Sequence, residues 1–307
     1  MTWRLRTTSE IPRHYWLARL DSIPNASPYL LPEWSQFWAD VWPGAKSEVY
    51  DDGQTLIPLV LRRRYTLGWR FAQPYGTDCI IGDSKSIDWN SLLAVLSRNR
   101  TVEIALSADV QTQMPGWNRR SLSQNCWVIK SAGKTYTQLA QGFSGSHRRN
   151  IAKGEDLQLR IDDTHNADSL VRLWQDSHRA PRFMLNTVHA QSLIKHFAPV
   201  DALHWRTAWS GERPVAGTVF LIHKNTAVSV DTIVDRDPQF RGAGHYLVAQ
   251  SLKSLIDSGV TRIDLGGVPG GSDHAGLNEF KSGWNSTQNS INTTLYRRNW
   301  YARLRGA

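Results

Sequence analysis

The residues best suited to chemistry lie in Gln239-Phe240-Arg241-Gly242-Ala243-Gly244, between a β-rich run and an amphipathic helical run. Glycines there let the backbone turn tightly and approach a ligand. The free N–H groups at the start of the helix offer partial positive charge to an anion. Arg241 adds a full charge. A glycine turn without a ligand is the competing reading of the same residues. Acid–base candidates stand nearby: Asp231 on the preceding run, His245 directly after the loop, and His274 further on. A lone histidine is more often structural or solvated than catalytic. The chain carries no Gly-x-Ser-x-Gly elbow and no Cys–His signature. Direct attack in a ternary complex is therefore expected, not an acyl-enzyme.

A second element begins at Asp264-Leu265-Gly266-Gly267-Val268 and continues, after a Gly-rich loop, into Gly276-Leu277-Asn278-Glu279-Phe280-Lys281-Ser282-Gly283-Trp284. Residue type alone makes Lys281 a solvated surface lysine and Phe280 a core anchor. The combined pattern, D-x-x-G, a loop, then G-L-x-x-F-K-x-G-W, resembles the FemAB peptidyltransferases, which build peptidoglycan cross-bridges. Ser144-Gly145-Ser146-His147-Arg148-Arg149, with the residues up to Ile161, is similar to that family's central basic segment. The resemblance covers roughly residues 132 to 296.

The resemblance implies an α/β fold of two tandem GNAT-like domains, with the C-terminal segment returning to the first. It implies transfer of an amino acid from aminoacyl-tRNA to an amine of a peptide or nucleotide-linked cell-wall precursor, with tRNA as partner and co-substrate and no resident cofactor. Phe280 would lie against the terminal adenosine and Lys281 at the reacting ester, where its charge could stabilise developing negative charge. Arg182, and beside it Arg179, would hold the acceptor's phosphates by the bidentate fork of arginine. In the GNAT superfamily the glycine loop grips the pyrophosphate of acetyl-CoA. That likeness assigns Gln239, Arg241, Gly242, Ala243, Gly244 and His245 to the donor, and Asp231 to the position where such enzymes can keep a base. The first half is similar only in general pattern, through the helix carrying Trp38 and the loop carrying Tyr75, both assigned to the acceptor. An acyl-CoA-dependent N-acyltransferase and a non-catalytic tRNA- or nucleotide-binding module are the alternatives.

The elements that must position these residues are clearest in the second half. Val215–His223 and Ala227–Val234 read as a hairpin over Lys224-Asn225. Leu247, Val248, Leu252, Leu255 and Ile256 share one helical face, closed by Gly259, and a short buried strand ends near Asp264. Alternation predicts a strand over Asp156–Ile161, and two helical stretches broken at Ala180-Pro181 fill His165–Phe197. In the first half, a helix over Leu31–Val41 precedes strands at Thr55–Arg62 and Trp69–Phe71. A capped helix then runs to about Ser97, followed by the strand TVEIALSA. Trp34, Trp38 and Trp42 recur at helical spacing, the usual mark of a core stripe. The expected domains are 1–140 on the acceptor side, 141–296 on the donor side, and a basic segment, 297–307, packing back on the first.

Bulk properties agree with a two-domain globular chain: 307 residues, 40% hydrophobic and 21% charged. Thirty-six basic against 27 acidic residues give a formal charge of +9, a field that favours encounter with polyanions such as tRNA. Arg148 and Arg149 suit either nucleic-acid backbone or a helix cap. Arg297, Arg298, Arg303 and Arg305 suit either tRNA or a basic helix end. The two cysteines have no metal-site spacing, so no metal is expected. No apolar run is long enough to cross a bilayer and the N-terminus lacks an apolar signal core, so a cytoplasmic protein without stable membrane insertion is expected.

Overall fold

A computed structural model of the chain describes residues 3–64, 68–72, 80–83, 86–97, 101–177, 187–268 and 274–304. Two compact units are formed, Met1–Gln124 with Ser290–Ala307, and Asn125–Asn289. The C-terminal segment thus returns to the first unit.

In the first unit, strands β1 (Arg4–Thr7), β2 (Lys46–Asp51), β3 (Leu56–Arg64) and β4 (Gly68–Ala72) pair antiparallel in succession. Helix α1 (Arg13–Leu20) and helix α2 (Pro32–Val41) lie between β1 and β2, and α3 (Trp89–Leu96) lies between β4 and β5 (Thr101–Leu106). β5 pairs parallel with β4, because a connection containing a helix can return the chain in the same direction. Asp88 caps α3 by accepting the N–H of Ser91 at 3.1 Å. The sheet is completed by β12 (Thr287–Arg298), antiparallel to β5, with α10 (Asn299–Leu304) after it. The tryptophan stripe is core: Trp34 and Trp38 are buried, and Trp38 meets Trp42 at 4.5 Å between ring centroids.

The second unit repeats this plan. Strands β7 (Arg160–Asp162), β8 (Leu203–Ser210), β9 (Arg213–His223) and β10 (Thr226–Val234) pair antiparallel in succession. A parallel strand, β11 (Arg262–Val268), follows α8 (Ala243–Asp257), and β6 (Trp117–Lys130) lies antiparallel to β11. Helices α4 (Tyr136–Gln141), α5 (Gly145–Asp156), α6 (Ala167–Ser177), α7 (Thr187–Phe197) and α9 (Ala275–Ser282) complete the unit. Each unit is therefore four antiparallel strands, one parallel join and one closing antiparallel strand.

The hairpin, α8 and β11 form where period and turn residues predict them. Leu247, Val248, Leu252 and Leu255 are buried; the last three pack with Ile129, Phe220 and Trp284, and Leu247 with Leu159, Ala208 and Val215. Gly259 ends the helix in the left-handed region at φ +92. The alternation at Asp156–Ile161 misleads. α5 runs through Asp156, Gln158 turns at φ +50, and only Arg160–Asp162 is strand. The apolar residues there are spaced for a helix end and a turn as well as for a sheet.

Candidate active site

β10 and β11 pair only over Thr226–Val228 and Arg262–Asp264. Both strands continue beyond that point, β10 against β9 and β11 against β6, each after a register shift. The shift in β10 falls between Ser229 and Asp231, and that in β11 between Asp264 and Gly267, where Gly266 adopts φ +81. Bulges of this kind bend a strand and end its pairing, so a gap opens between two neighbouring parallel strands.

Lys281, from the last turn of α9, fills that gap. Its Nζ donates to the carbonyl of Gly267 at 3.0 Å. A Cβ on Gly266 would meet this Nζ at 3.4 Å and the carbonyl oxygen of Ser229 at 3.7 Å, ordinary contacts that place the lysine head beside both strands, and it is the φ of +81 that calls for glycine there. α9 is held to β6 by the indole N–H of Trp127, which donates to Asn278 Oδ1 at 3.1 Å.

The recess is partly shielded from solvent, with Lys281 and Asp231 half-buried and Asp264 and Cys126 buried, and it is crowded with ionisable groups. Burial pushes the Lys281 ammonium down to about 8, opposed by the nearby Asp264, Cys126 and Asp231. Burial also lifts the Asp231 carboxyl to about 6, against a hydrogen bond from the Thr232 N–H at 2.8 Å and the Lys281 charge. Asp264, buried in β11, is raised for the same first reason, although the Gly266 N–H donates to its Oδ1 at 2.7 Å. The Cys126 thiol is pushed up to about 11 by burial and by Asp264, so it remains protonated. A cation and a carboxylate that exchange protons near neutrality, beside a gap in a sheet, can stabilise an oxyanion and accept a proton.

The lysine's neighbour Phe280 joins a ring cluster. His147 lies 4.6 Å from Trp284, 4.8 Å from His245 and 5.7 Å from Phe280 by ring centroids, and His245 lies 5.2 Å from Phe280. Burial, then the neighbouring His147, holds His245 down to about 4, so the imidazole is neutral. His147 is lowered by burial too.

The glycine loop has a packing explanation. Gly242 caps α8 at φ +106, and a Cβ there would stand 2.6 Å from the Asn150 carbonyl and 2.7 Å from the Gly154 nitrogen of α5. A Cβ on Gly244 would overlap Val234. Both glycines let neighbouring elements approach α8 closely. Ala243 is buried beside them, and Gln239 bonds back to Asp237. Arg241 is exposed.

The structure thus gathers Lys281, Asp231, Phe280 and His245 within the second unit. Trp38 is in the first unit's aromatic core. Arg179, Arg182 and Tyr75 fall outside the described residues, as does Arg305. Arg148 caps α4, donating to the Gln141 and Phe143 carbonyls. Arg297 pairs with Glu103, and Arg298 donates to the Thr101 and Ser97 carbonyls and covers the Trp117 ring. Sequence reasoning gave no role to His147 or Asp264. The signal for His147 is local: Ser144 three residues earlier, at the spacing of a helix cap. Among the described residues no helix is long and apolar enough to cross a membrane.

Residues 143–282 match the family model described as an acetyltransferase (GNAT) domain. No curated protein matches the chain. Among solved structures, FemX is 11% identical with a TM-score of 0.69, over 95% of this chain and 97% of its own. The tandem GNAT protein from the clavulanic acid biosynthesis pathway is 10% identical with a TM-score of 0.57, over 96% and 97%. L-PGS from Bacillus licheniformis is 12% identical with a TM-score of 0.55, over 94% and 92%. The likeness to these structures is one of fold. With the family match across the unit that holds Lys281, it defines the class: an acyltransferase built on the tandem GNAT fold. Within that class the chain shares its fold with FemX.

Proposed function

We propose that this chain transfers an aminoacyl group from an aminoacyl-tRNA to the amine of a peptide or nucleotide-linked cell-wall precursor. One observation carries the reading: the Nζ of Lys281, next to the aromatic Phe280, sits in the gap between β10 and β11 on the Gly267 carbonyl. At neutral pH the lysine is charged and Asp231 is ionised. The neutral amine attacks the ester carbon, a C–N bond forms and the ester C–O bond breaks. The amine's proton passes to Asp231, the departing ribose oxygen takes one from Lys281, and exchange with water resets both groups. Charge developing on the carbonyl oxygen is stabilised by the lysine in a partly desolvated site, where such an interaction is stronger than in water. Phe280 offers a ring on which a terminal base can stack.

A coenzyme A donor is the second reading, favoured by the start of the 15-residue helix α8, whose first N–H groups and dipole suit a pyrophosphate. Against it, Gly242 and Gly244 are accounted for by packing against α5 and Val234. The experiment offers purified protein labelled aminoacyl-tRNA and, separately, labelled acetyl-CoA, with a UDP-linked muropeptide and a panel of amines as acceptors. Label should move from the tRNA to an amine. Movement from acetyl-CoA alone overturns the proposal.

A further inference from the structure

We propose that His147 is a positioning residue for Lys281, acting through the peptide unit that joins Phe280 to Lys281. The inference rests on Lys281 being the group that meets the reacting ester.

The last carbonyls of a helix have no partner within it and must find one elsewhere. At the end of α9, the Gly283 N–H bonds to Glu279 and the Trp284 N–H to Lys281, which leaves the Phe280 carbonyl. That carbonyl accepts from His147 Nε2 at 2.8 Å. The Gly283 carbonyl accepts from the Ser144 N–H at 2.9 Å, so the end of α9 is docked on the start of α5. A carbonyl partner requires the hydrogen on Nε2, which makes Nδ1 an acceptor. The Ser144 hydroxyl, 2.8 Å away, supplies the donor. Ser144 also accepts the His147 N–H, capping α5 and holding the histidine's own backbone.

Sterics agree with the hydrogen bonds. His147 is buried between Trp284, Phe280 and His245, and a Cβ on Gly283 would overlap its ring. Gly283 is therefore the residue that admits the imidazole. Because the peptide group is planar, holding the Phe280 carbonyl also fixes the N–H and Cα of Lys281, and hence the direction in which its side chain leaves the helix. The groups facing Nζ in the recess are Asp231, Asp264 and Cys126. Once the last turn of α9 is released, the lysine head leaves that recess for water.

The test reads Lys281 without substrate, by NMR titration of 13Cε-lysine-labelled protein with its signal assigned through Lys281→Arg. Wild type should titrate near 8. His147→Leu, which keeps the volume and removes the donor, should move that value up by roughly 1 pH unit or more as the ammonium regains water. His147→Gln, whose amide N–H can reach the same carbonyl, should hold it near wild type. A folded Leu variant with Lys281 still near 8 overturns the proposal. Should that variant not fold, Gly283→Ala displaces the ring by overlap, and an unmoved Lys281 titration there overturns the proposal equally. A lack of transfer from aminoacyl-tRNA would sink the donor reading and leave this one standing.

Discussion

The two units repeat one strand plan yet treat the charge beside their parallel strands in opposite ways. In the first unit, Glu103 of β5 is buried and saturated. Arg70 of β4 reaches one carboxylate oxygen at 2.6 Å and Arg297 of β12 the other at 2.8 Å. β4 and β5 stay paired as far as Ala72 and Ala105. In the second unit the parallel pair opens after Val228 and Asp264. Lys281, among the described residues, has no carboxylate within ion-pair distance, although Asp231 and Asp264 lie close enough to act on it. The same scaffold holds a locked charge network in one copy and a poised, poorly solvated cation in the other. Locked charges specify a structure, whereas a cation held short of a full ion pair can change its protonation and its partner.

The largest expected effect tests that contrast at its active end. Lys281→Ala should lower single-turnover transfer by about 10²- to 10³-fold, the loss typical of one preorganised oxyanion partner, with the melting temperature little changed. Near-normal transfer would remove the lysine from the mechanism. At the locked end, Glu103→Gln should act on stability and leave turnover of the folded protein intact. Two partly buried arginines lose their counter-charge, and urea unfolding should show a loss of about 3 kcal/mol. Gly244→Ala should cost roughly 1–3 kcal/mol in the same measurement through overlap with Val234, and Val234→Ala should relieve it. The smallest effect is in the pH profile. Asp231 must lose its proton to act as base, so transfer rises as pH climbs through about 6. Lys281 must keep its proton, so transfer falls above about 8. Each limb should approach tenfold per pH unit, and Asp231→Asn should remove the acidic limb.

Much of the second unit's frame is legible because it is local. The β9–β10 hairpin, α8 with Leu247, Val248, Leu252 and Leu255, and the stop at Gly259 follow from residue period and turn chemistry. The strand expected over Asp156–Ile161 does not form as such, because a short apolar alternation also fits a helix end and a left-handed turn at Gln158. The glycines of the loop point to a ligand when read in sequence, and their neighbours prove to be α5 and Val234, which lie far from them in sequence or beyond a turn.

By itself the sequence determined the local elements of the second unit, the β9–β10 hairpin, α8 and the strand ending near Asp264, since periodicity, caps and turns act within a few residues. It could not say that Lys281 is half-buried, or that Asp231, Asp264 and Cys126 lie around it, because those groups come from four different elements. Only the tertiary structure decided that, through two bulges that part β10 from β11 and a histidine from α5 that holds the end of α9. Desolvation and electrostatics depend on distance in space, and a single chain read end to end carries no such distances.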